Sequence, residues 1–124
     1  MVPFTLTSDF GLQNHYVASV KGKLLTHFPH CGIVDISHQI LPFNLQQAAY
    51  IFRSAYLYFP AGTIHFILCD LHSSLNKQLL YVYENGQHIF CADNGLLTLL
   101  FDDRPIQIFK LKDVAKPYHY LNIM

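Results

Sequence analysis

The chain has 124 residues, of which 52% are hydrophobic and only 13% are charged, so one domain with a large core for its size is expected. Eight basic residues balance eight acidic ones, and this zero net charge argues against the clustered Lys and Arg of a nucleic-acid or acidic-membrane surface. The apolar excess also predicts self-association or a covering partner domain.

The 3 cysteines, an odd number without paired spacing, are interpreted as reduced thiols. No charged leader is followed by an apolar run, and no apolar stretch reaches the length that spans a bilayer. The protein is therefore expected to be cytoplasmic, with neither a membrane nor a nucleic acid as its partner.

A short apolar strand over residues 4–6 runs directly into the polar sequence TSDFG at 7–11. Polar groups at the carboxyl end of a core strand lie at the edge where open α/β sheets bind ligands. The Asp9 carboxylate could accept two hydrogen bonds from a vicinal diol such as a ribose, and Gly11 permits a sharp turn with positive φ. Alternatively, Ser8 and Asp9 simply cap the helix that follows.

Helical spacing over 15–28, with Asn14 as a candidate N-cap and Pro29 as the stop, predicts the first helix. A second short strand over 33–36 follows and also ends among polar residues, Asp35, Ser37 and His38. Two strands joined by a helix form a βαβ unit, so the pair is predicted to be parallel with a right-handed crossover.

Asn44 is predicted to cap a second helix. Its inner face should contain Ala48, Ile51, Phe52, Ala55 and Tyr56. The third strand, over 63–69, ends at Asp70. If the three strands are parallel, Asp9, Asp70 and the residues near Asp35 gather at one edge of one sheet.

The segments 79–83 and 88–92 flank Asn85-Gly86, a hairpin signal that adds an antiparallel pair. The apolar run 96–101 fits a short helix or a strand, and 106–111 reads as the last strand. We therefore predict a single α/β domain over 1–124, with helix, sheet and helix in three layers, a mainly parallel sheet and a small antiparallel hairpin extension.

Six short sequences occur in one order: TSDFG (7–11), VDISH (34–38), PF (42–43), AAY (48–50), FPAGT (59–63) and DNGLL (93–97). Together they resemble the N-terminal domain of the S-adenosylmethionine hydroxide adenosyltransferases, a family that includes fluorinating and chlorinating enzymes, and the resemblance covers about residues 3 to 111. It implies cleavage of S-adenosylmethionine to adenosine and methionine by hydroxide attack at the ribose 5′ carbon. It also implies a trimer, with each site between one N-terminal domain and a neighbour's C-terminal β-domain.

The resemblance implies catalytic roles for two residues. Asp70 would orient the attacking water, and Lys77 stands near a family Arg, although a Lys point charge lacks the planar fork of Arg. The structural alternative is that Asp70 caps a turn and Lys77 is solvated.

Substrate-binding roles are implied for four more residues. Asp9 matches the family's ribose-binding carboxylate, and Phe43 matches a position lining the substrate pocket, with a core Phe as the alternative. Asp93 and Asn94 match a family motif, and their alternative is a tight polar turn before Gly95.

The 8 histidines raise the possibility of a metal site, but neither His27 with His30 nor Cys69 with His72 and Cys91 has the spacing of a closed zinc site. We therefore predict no metal and no cofactor, with S-adenosylmethionine as substrate. His38 and His65 are interpreted as structural histidines with satisfied hydrogen bonds.

The chain departs from the family because it ends before the family's catalytic His segment and its C-terminal domain. His119 lacks the motif around that residue, so the role is not transferred to it. Two hypotheses remain open: the S-adenosylmethionine-binding domain of a hydrolase, or a non-catalytic remnant that serves as a binding or assembly module. Water is expected as the nucleophile, and halide is not excluded.

Overall fold

The computed structural model describes residues 2–71, 78–102 and 104–111. Within this part of the chain, strands and helices follow in the predicted order. They are β1 (Pro3–Ser8), α1 (Tyr16–His27), β2 (Gly32–Ser37), α2 (Leu45–Tyr56), β3 (Ile64–Leu68), β4 (Leu79–Glu84), β5 (Gln87–Ala92), α3 (Leu96–Phe101) and β6 (Ile108–Lys110).

The strands form one sheet in the order β2-β1-β3-β5-β4-β6. Strand β1 pairs in parallel with both β2 and β3, and β3 pairs in parallel with β5. Strand β4 is antiparallel to β5 and to β6, which makes the antiparallel extension at one side. The predicted α/β fold with a mainly parallel sheet is confirmed.

Helices cover both faces of the sheet. On one face, Thr5 of β1 is in register with His65 of β3, whose ring lies edge-on to Phe52 of α2 with centroids 5.0 Å apart. On the other face, Phe4 contacts Phe28, immediately after α1, with centroids 5.2 Å apart. Successive strand residues point to opposite faces, so these contacts define a helix–sheet–helix arrangement.

The main core lies between the sheet and the pair α2 and α3. Its buried residues are Ile40, Ala48, Ala49, Phe52, Tyr56, Ile67, Cys69, Leu80, Val82, Ile89, Cys91, Leu96, Leu97, Leu100 and Phe101. The predicted inner face of α2 is correct for three of its five members, whereas Ile51 and Ala55 are only partly buried and Ala49 is buried instead. None of the helices in the described part of the chain is both long and apolar enough to cross a membrane.

Local sequence signals explain several boundaries. The Asn44 side chain accepts a hydrogen bond from the backbone N–H of Gln47, as predicted for the N-cap of α2. Asn14 is not the N-cap of α1, because that position belongs to His15; its side chain instead accepts a bond from Tyr16 N–H. Asn85 has positive φ, as the predicted two-residue hairpin requires.

Two further expectations are refined. The apolar run 96–101, for which helix and strand were both open, is a helix. The last strand is shorter than 106–111 and spans Ile108–Lys110 only.

A polar network lies inside the core at His65, which is fully buried. The side-chain amide nitrogen of Gln87 donates to the carbonyls of Tyr56 and Phe59, so its Oε1 accepts from His65 Nε2 at 2.5 Å. The imidazole therefore accepts from the Thr5 hydroxyl through Nδ1, also at 2.5 Å. Both nitrogens of a neutral ring are therefore hydrogen-bonded. This confirms His65 as a structural histidine.

Burial lowers the pKa of His65 from its ordinary value of 6.5, and the hydrogen bond with Gln87 only partly offsets this effect. The unfolded chain therefore binds more protons than the folded chain between the lowered pKa and 6.5, so stability rises with pH across that window. We expect the free energy of unfolding in urea to fall when the pH is lowered from about 7.5 to about 5.5.

The exposed His30 provides a matched control. A His30→Asn variant should show the same loss on acidification as the wild type, and His65→Asn should show less of it. Ring NMR of the wild type provides an independent measurement, and titration of His65 at an ordinary pKa would contradict the prediction.

Candidate functional site

The strand order places a topological switch point between β1 and β3. The chain leaves β1 for β2 on one side and then returns past β1 to form β3 on the other. Open α/β sheets bind ligands in the crevice beyond the carboxyl ends of strands at such a point. Asp9 directly follows β1 and Asp70 lies two residues past β3, so both candidates stand at this crevice.

A direct hydrogen bond joins these two residues. The backbone N–H of Asp70 donates to Oδ2 of Asp9 at 2.9 Å, across 61 positions of sequence. The prediction that the two residues lie close together at one sheet edge is therefore confirmed. Ser8 and Asp9 do not cap the following helix, because α1 begins at Tyr16.

Asp70 has a left-handed backbone, with φ of 53°. This conformation costs a non-glycine residue about 1–3 kcal/mol, persists only where the surroundings hold it, and is concentrated at ligand sites. Two neighbours hold it here, since Asp9 accepts from its N–H and the side chain of Asn94 donates to its carbonyl at 3.5 Å. The strain therefore marks the end of β3 as a candidate functional position.

The side chain of Asn94, which follows β5, connects the end of β3 to the start of α3. Its side-chain nitrogen donates to the carbonyl of Cys69 at 2.9 Å, and its side-chain oxygen accepts from Leu96 N–H at the start of α3. This turn agrees with the structural alternative for Asn94. Asp93 is exposed beside it, and its N–H donates to the carbonyl of Gln78. Whether either residue also contacts a ligand stays a prediction.

Phe43 lies at the surface, in the segment between β2 and α2. Its side chain is 79% exposed, and its φ of 62° is again left-handed. It lines a surface depression formed only by residues 41–46. The core alternative for Phe43 is therefore wrong, and its proximity to a ligand stays a prediction.

Lys77 and His72 lie outside the described residues. Burial, reinforced by the carboxylates of Asp9 and Asp70, raises the pKa of the Cys69 thiol, so this cysteine is not a thiolate at neutral pH. Across residues 2–71, 78–102 and 104–111, no group of three or more His, Cys, Asp and Glu side chains could hold a metal ion.

A connected side-chain network lies beside Asp9. The Ser8 hydroxyl and His38 Nδ1 are 2.5 Å apart, and His38 Nε2 is 2.8 Å from Oδ1 of Asp35. Lys21 from α1 reaches the other carboxylate oxygen at 2.6 Å. Partial burial alone would raise the pKa of Asp35, but hydrogen bonds from Lys21 and His38 hold it below its ordinary value. His38 is thus a structural histidine with satisfied bonds, as predicted.

The bond between Ser8 and His38 was not predicted from the sequence. The available signal was that both follow the ends of strands predicted to be parallel neighbours. Which hydroxyl meets which ring depends on register, and β1 and β2 contain an irregularity between Leu6 and Thr7 that shifts it.

The switch point, the two carboxylates and the strained Asp70 define an open α/β ligand-binding domain. Residues 4–122 match the family model described as the SAM (S-adenosylmethionine) hydroxide adenosyltransferase N-terminal domain. The chain therefore belongs to this family.

Two curated relatives carry the name (R)-S-adenosyl-L-methionine hydrolase. The protein from Methanocaldococcus jannaschii is 35% identical over 98 residues, covering 76% of this chain and 37% of its own. The protein from Thermus thermophilus is 34% identical over 114 residues, covering 90% of this chain and 44% of its own. The chain thus spans less than half the length of these relatives.

Solved structures share the fold. A conserved protein from Thermotoga maritima, described as uncharacterized, superposes with a TM-score of 0.79 at 26% identity, covering 89% of this chain and 43% of its own. A conserved hypothetical protein from Thermus thermophilus has a TM-score of 0.74 at 32% identity, covering 90% of this chain and 47% of its own.

The left-handed backbone of Asp70 can be tested by stability measurements. We expect Asp70→Gly to be more stable than Asp70→Ala by ~1 kcal/mol, because only Gly adopts positive φ freely. Both variants remove the carboxylate, so their difference in urea unfolding isolates the backbone effect.

Lys23, exposed in the middle of α1, provides the control. There the order should reverse, with Lys23→Ala more stable than Lys23→Gly by ~0.8–1.0 kcal/mol. If Asp70→Ala is at least as stable as Asp70→Gly, the backbone of Asp70 is not strained.

Proposed function

We propose that this domain binds S-adenosylmethionine at the switch point between β1 and β3 and contributes Asp9 and Asp70 to a site that hydrolyses it. The observation that carries the proposal is the 2.9 Å hydrogen bond from Asp70 N–H to the Asp9 carboxylate, which ties both residues to one crevice. Family membership and the hydrolase names of the relatives support the substrate class.

Asp9 would bind the ribose diol. Its Oδ2 accepts from Asp70 N–H, and among the described residues no donor reaches Oδ1. A carboxylate has about four acceptor sites, so it retains capacity for both hydroxyls. The bond from Asp70 fixes the carboxylate orientation before the ligand arrives, which lowers the entropy lost on binding.

The proposed reaction is a displacement at C5′. A bond forms between the oxygen of water and C5′, and the C5′–sulfur bond breaks with its electron pair passing to sulfur. Methionine leaves as a neutral thioether, and adenosine retains the new 5′-hydroxyl. The proton lost by water passes to the Asp70 carboxylate and then to solvent.

Asp70 would orient that water and accept its proton. General-base catalysis by a positioned carboxylate contributes about 10²–10⁴-fold to rate. Asp9 and Asn94 both bond to the strained backbone of Asp70. This backbone is suited to the role because it keeps the Asp70 carboxylate near one position relative to the water. The positive charge assigned to Lys77 would help to favour hydroxide.

The remaining predicted residues have supporting roles in the proposal. Phe43 would pack against the ligand, since its ring is exposed rather than part of the core and its backbone is left-handed. Asn94 would hold the Asp70 loop, and exposed Asp93 would contact the substrate directly. The rival hypothesis of a non-catalytic remnant is not favoured by the hydrolase names of the relatives.

Self-association as a trimer in the cytoplasm is also part of the proposal. Its support is apolar surface on the sheet face that α1 covers only in part. Phe66 and Phe90 stack there with centroids 5.6 Å apart, Tyr81 adjoins Phe90 at 5.0 Å, and Phe109 is 45% exposed. Contiguous aromatic surface that is only partly buried is typical of an interface.

The roles of the two carboxylates predict different kinetic effects. Asp70→Asn should lower kcat by about 10²–10⁴-fold, because it removes the proton acceptor while an Asn tolerates the left-handed backbone. Asp9→Ala should act mainly on KM, raising it by about tenfold to a hundredfold through lost ribose hydrogen bonds.

The measurement is adenosine release from S-adenosylmethionine, followed by chromatography, with the complete reading frame that encodes these residues. The 124-residue chain spans less than half the length of the curated relatives, so we expect it to bind adenosine weakly and to turn over S-adenosylmethionine slowly on its own. Unchanged turnover in Asp70→Asn would remove Asp70 from the mechanism, and fast turnover by the isolated chain would show that no second domain is needed.

Sedimentation equilibrium tests the assembly. We expect a species of three times the 14.3 kDa chain mass, and we expect it to persist at high salt because apolar burial is not screened. A clean monomer at micromolar concentration would contradict the proposal.

A further inference from the structure

We propose that His38 is a positioning residue that holds the turn carrying Asp9 through the hydroxyl of Ser8. This inference deepens the proposed function and rests on it for the role of Asp9 as the ribose ligand. It concerns a ring to which neither the family resemblance nor the proposed chemistry assigns a role. The contacts of the ring and the burial of the hydroxyl carry it.

The donors and acceptors of the network form one consistent chain. Phe10 N–H donates to Ser8 Oγ at 3.3 Å, and the Ser8 hydroxyl lies 2.5 Å from Nδ1 of His38. We assign the hydroxyl as the donor to Nδ1, because the Asp35 carboxylate can only accept and so places the ring proton on Nε2. Nε2–H of His38 then donates to Asp35. A neutral imidazole with its proton on Nε2 satisfies every one of these groups.

The ring itself is anchored from two other elements. Asp35 lies in β2 and accepts a second bond from Lys21 of α1, at 2.6 Å. Only 4% of His38 is exposed, so packing also restricts the ring. The position of the Ser8 hydroxyl is therefore set by a ring whose orientation is fixed independently.

The network holds the turn on both sides of Asp9. Ser8 precedes Asp9, and its hydroxyl accepts from the N–H of Phe10, which follows it. Gly11 N–H donates to the backbone carbonyl of His38 at 2.7 Å. Three residues around Asp9 are thus tied to one histidine, and the carboxylate is oriented separately by Asp70.

A nucleophilic Ser-His-Asp triad is excluded by burial. Ser8 is 0% exposed, so its oxygen cannot reach a substrate carbon. The Ser8 oxygen already accepts from Phe10 N–H, and its proton is held by Nδ1 of a ring fixed by Asp35. The arrangement fits positioning rather than attack.

The same strand provides a matched control. Thr5 also lies in β1, and its hydroxyl meets Nδ1 of the buried His65 at 2.5 Å, the distance found for Ser8 and His38. The Thr5 pair lies in the core, away from the turn 8–11. Removing either hydroxyl breaks an equivalent bond, but only Ser8 is next to Asp9.

The first test needs no ligand. Nitrogen-15 NMR of the imidazole rings should show the proton of His38 on Nε2, with Nδ1 as the acceptor. In Ser8→Ala the Nδ1 signal should move toward that of an unbonded ring nitrogen. A proton on Nδ1 in the wild type would overturn the inference.

The second test uses the protein encoded by the complete reading frame and measures its dissociation constants for adenosine and for 2′,3′-dideoxyadenosine by NMR titration. We expect Ser8→Ala to weaken adenosine binding by about threefold to tenfold, the loss of about one hydrogen bond. Binding of the dideoxy compound should not change, because the network acts through the diol ligand Asp9. Thr5→Val should bind both compounds as the wild type does, although it is less stable.

Two substitutions at His38 distinguish the acceptor at Nδ1 from the rest of the ring. His38→Asn places an acceptor near the position of Nδ1 and should retain most of the adenosine affinity, whereas His38→Gln should lose it as Ser8→Ala does. Equal weakening of both nucleosides in Ser8→Ala would reduce the network to a structural role and overturn the inference. If the wild type binds neither nucleoside, the proposed function fails, and the ring tautomer alone decides whether the network exists.

Discussion

Strand β1 has hydrogen-bonded parallel neighbours on both sides, and the candidate site depends on this pairing. A strand between two parallel partners ends at the same edge as both of them. The residues after β1 therefore lie between the loops that follow β2 and β3. Ser8 meets His38 on one side, and Asp9 meets Asp70 on the other. A change in either pairing would separate groups that no local sequence preference holds together.

Two hydroxyl–imidazole pairs make this pairing specific. Thr5 bonds to His65 on β3 and Ser8 bonds to His38 beyond β2, and all four residues are buried. A buried polar group without a partner costs about 1–3 kcal/mol, so a register shift of β1 would carry this cost at several groups together. It would also exchange the faces of Phe4 and its neighbours. The pairs thus oppose slippage more strongly than apolar contacts alone, and the pair at the edge sets the position of the turn beside it.

The predictable parts of the structure are those governed by local pattern. Short apolar runs and helical periodicity located the elements, and Asn44 and Asn85 marked a cap and a turn. The predicted parallel strands implied that Asp9 and Asp70 share an edge. The left-handed backbone of Asp70 was not predictable, because an Asp in this conformation carries no sequence signature that distinguishes it from one in an ordinary turn. The Ser8–His38 bond spans 30 positions and depends on a register irregularity that only the folded sheet reveals.

The chemistry of the proposed site separates the two carboxylates into different roles. A sulfonium substrate is a cation, and its positive charge disappears as the C5′–sulfur bond breaks. Carboxylates near the sulfur would therefore stabilise the substrate more than the transition state, which would slow the reaction. Asp70 can contribute to rate only through the attacking water, where negative charge moves from oxygen toward carbon and a proton must leave. In the proposed function, Asp9 would bind the ribose hydroxyls, a part of the substrate whose charge does not change. Its bonds would be equally strong before and during the reaction, so they would contribute to binding, and their value for catalysis would depend on how firmly the turn holds the ribose in line with the water.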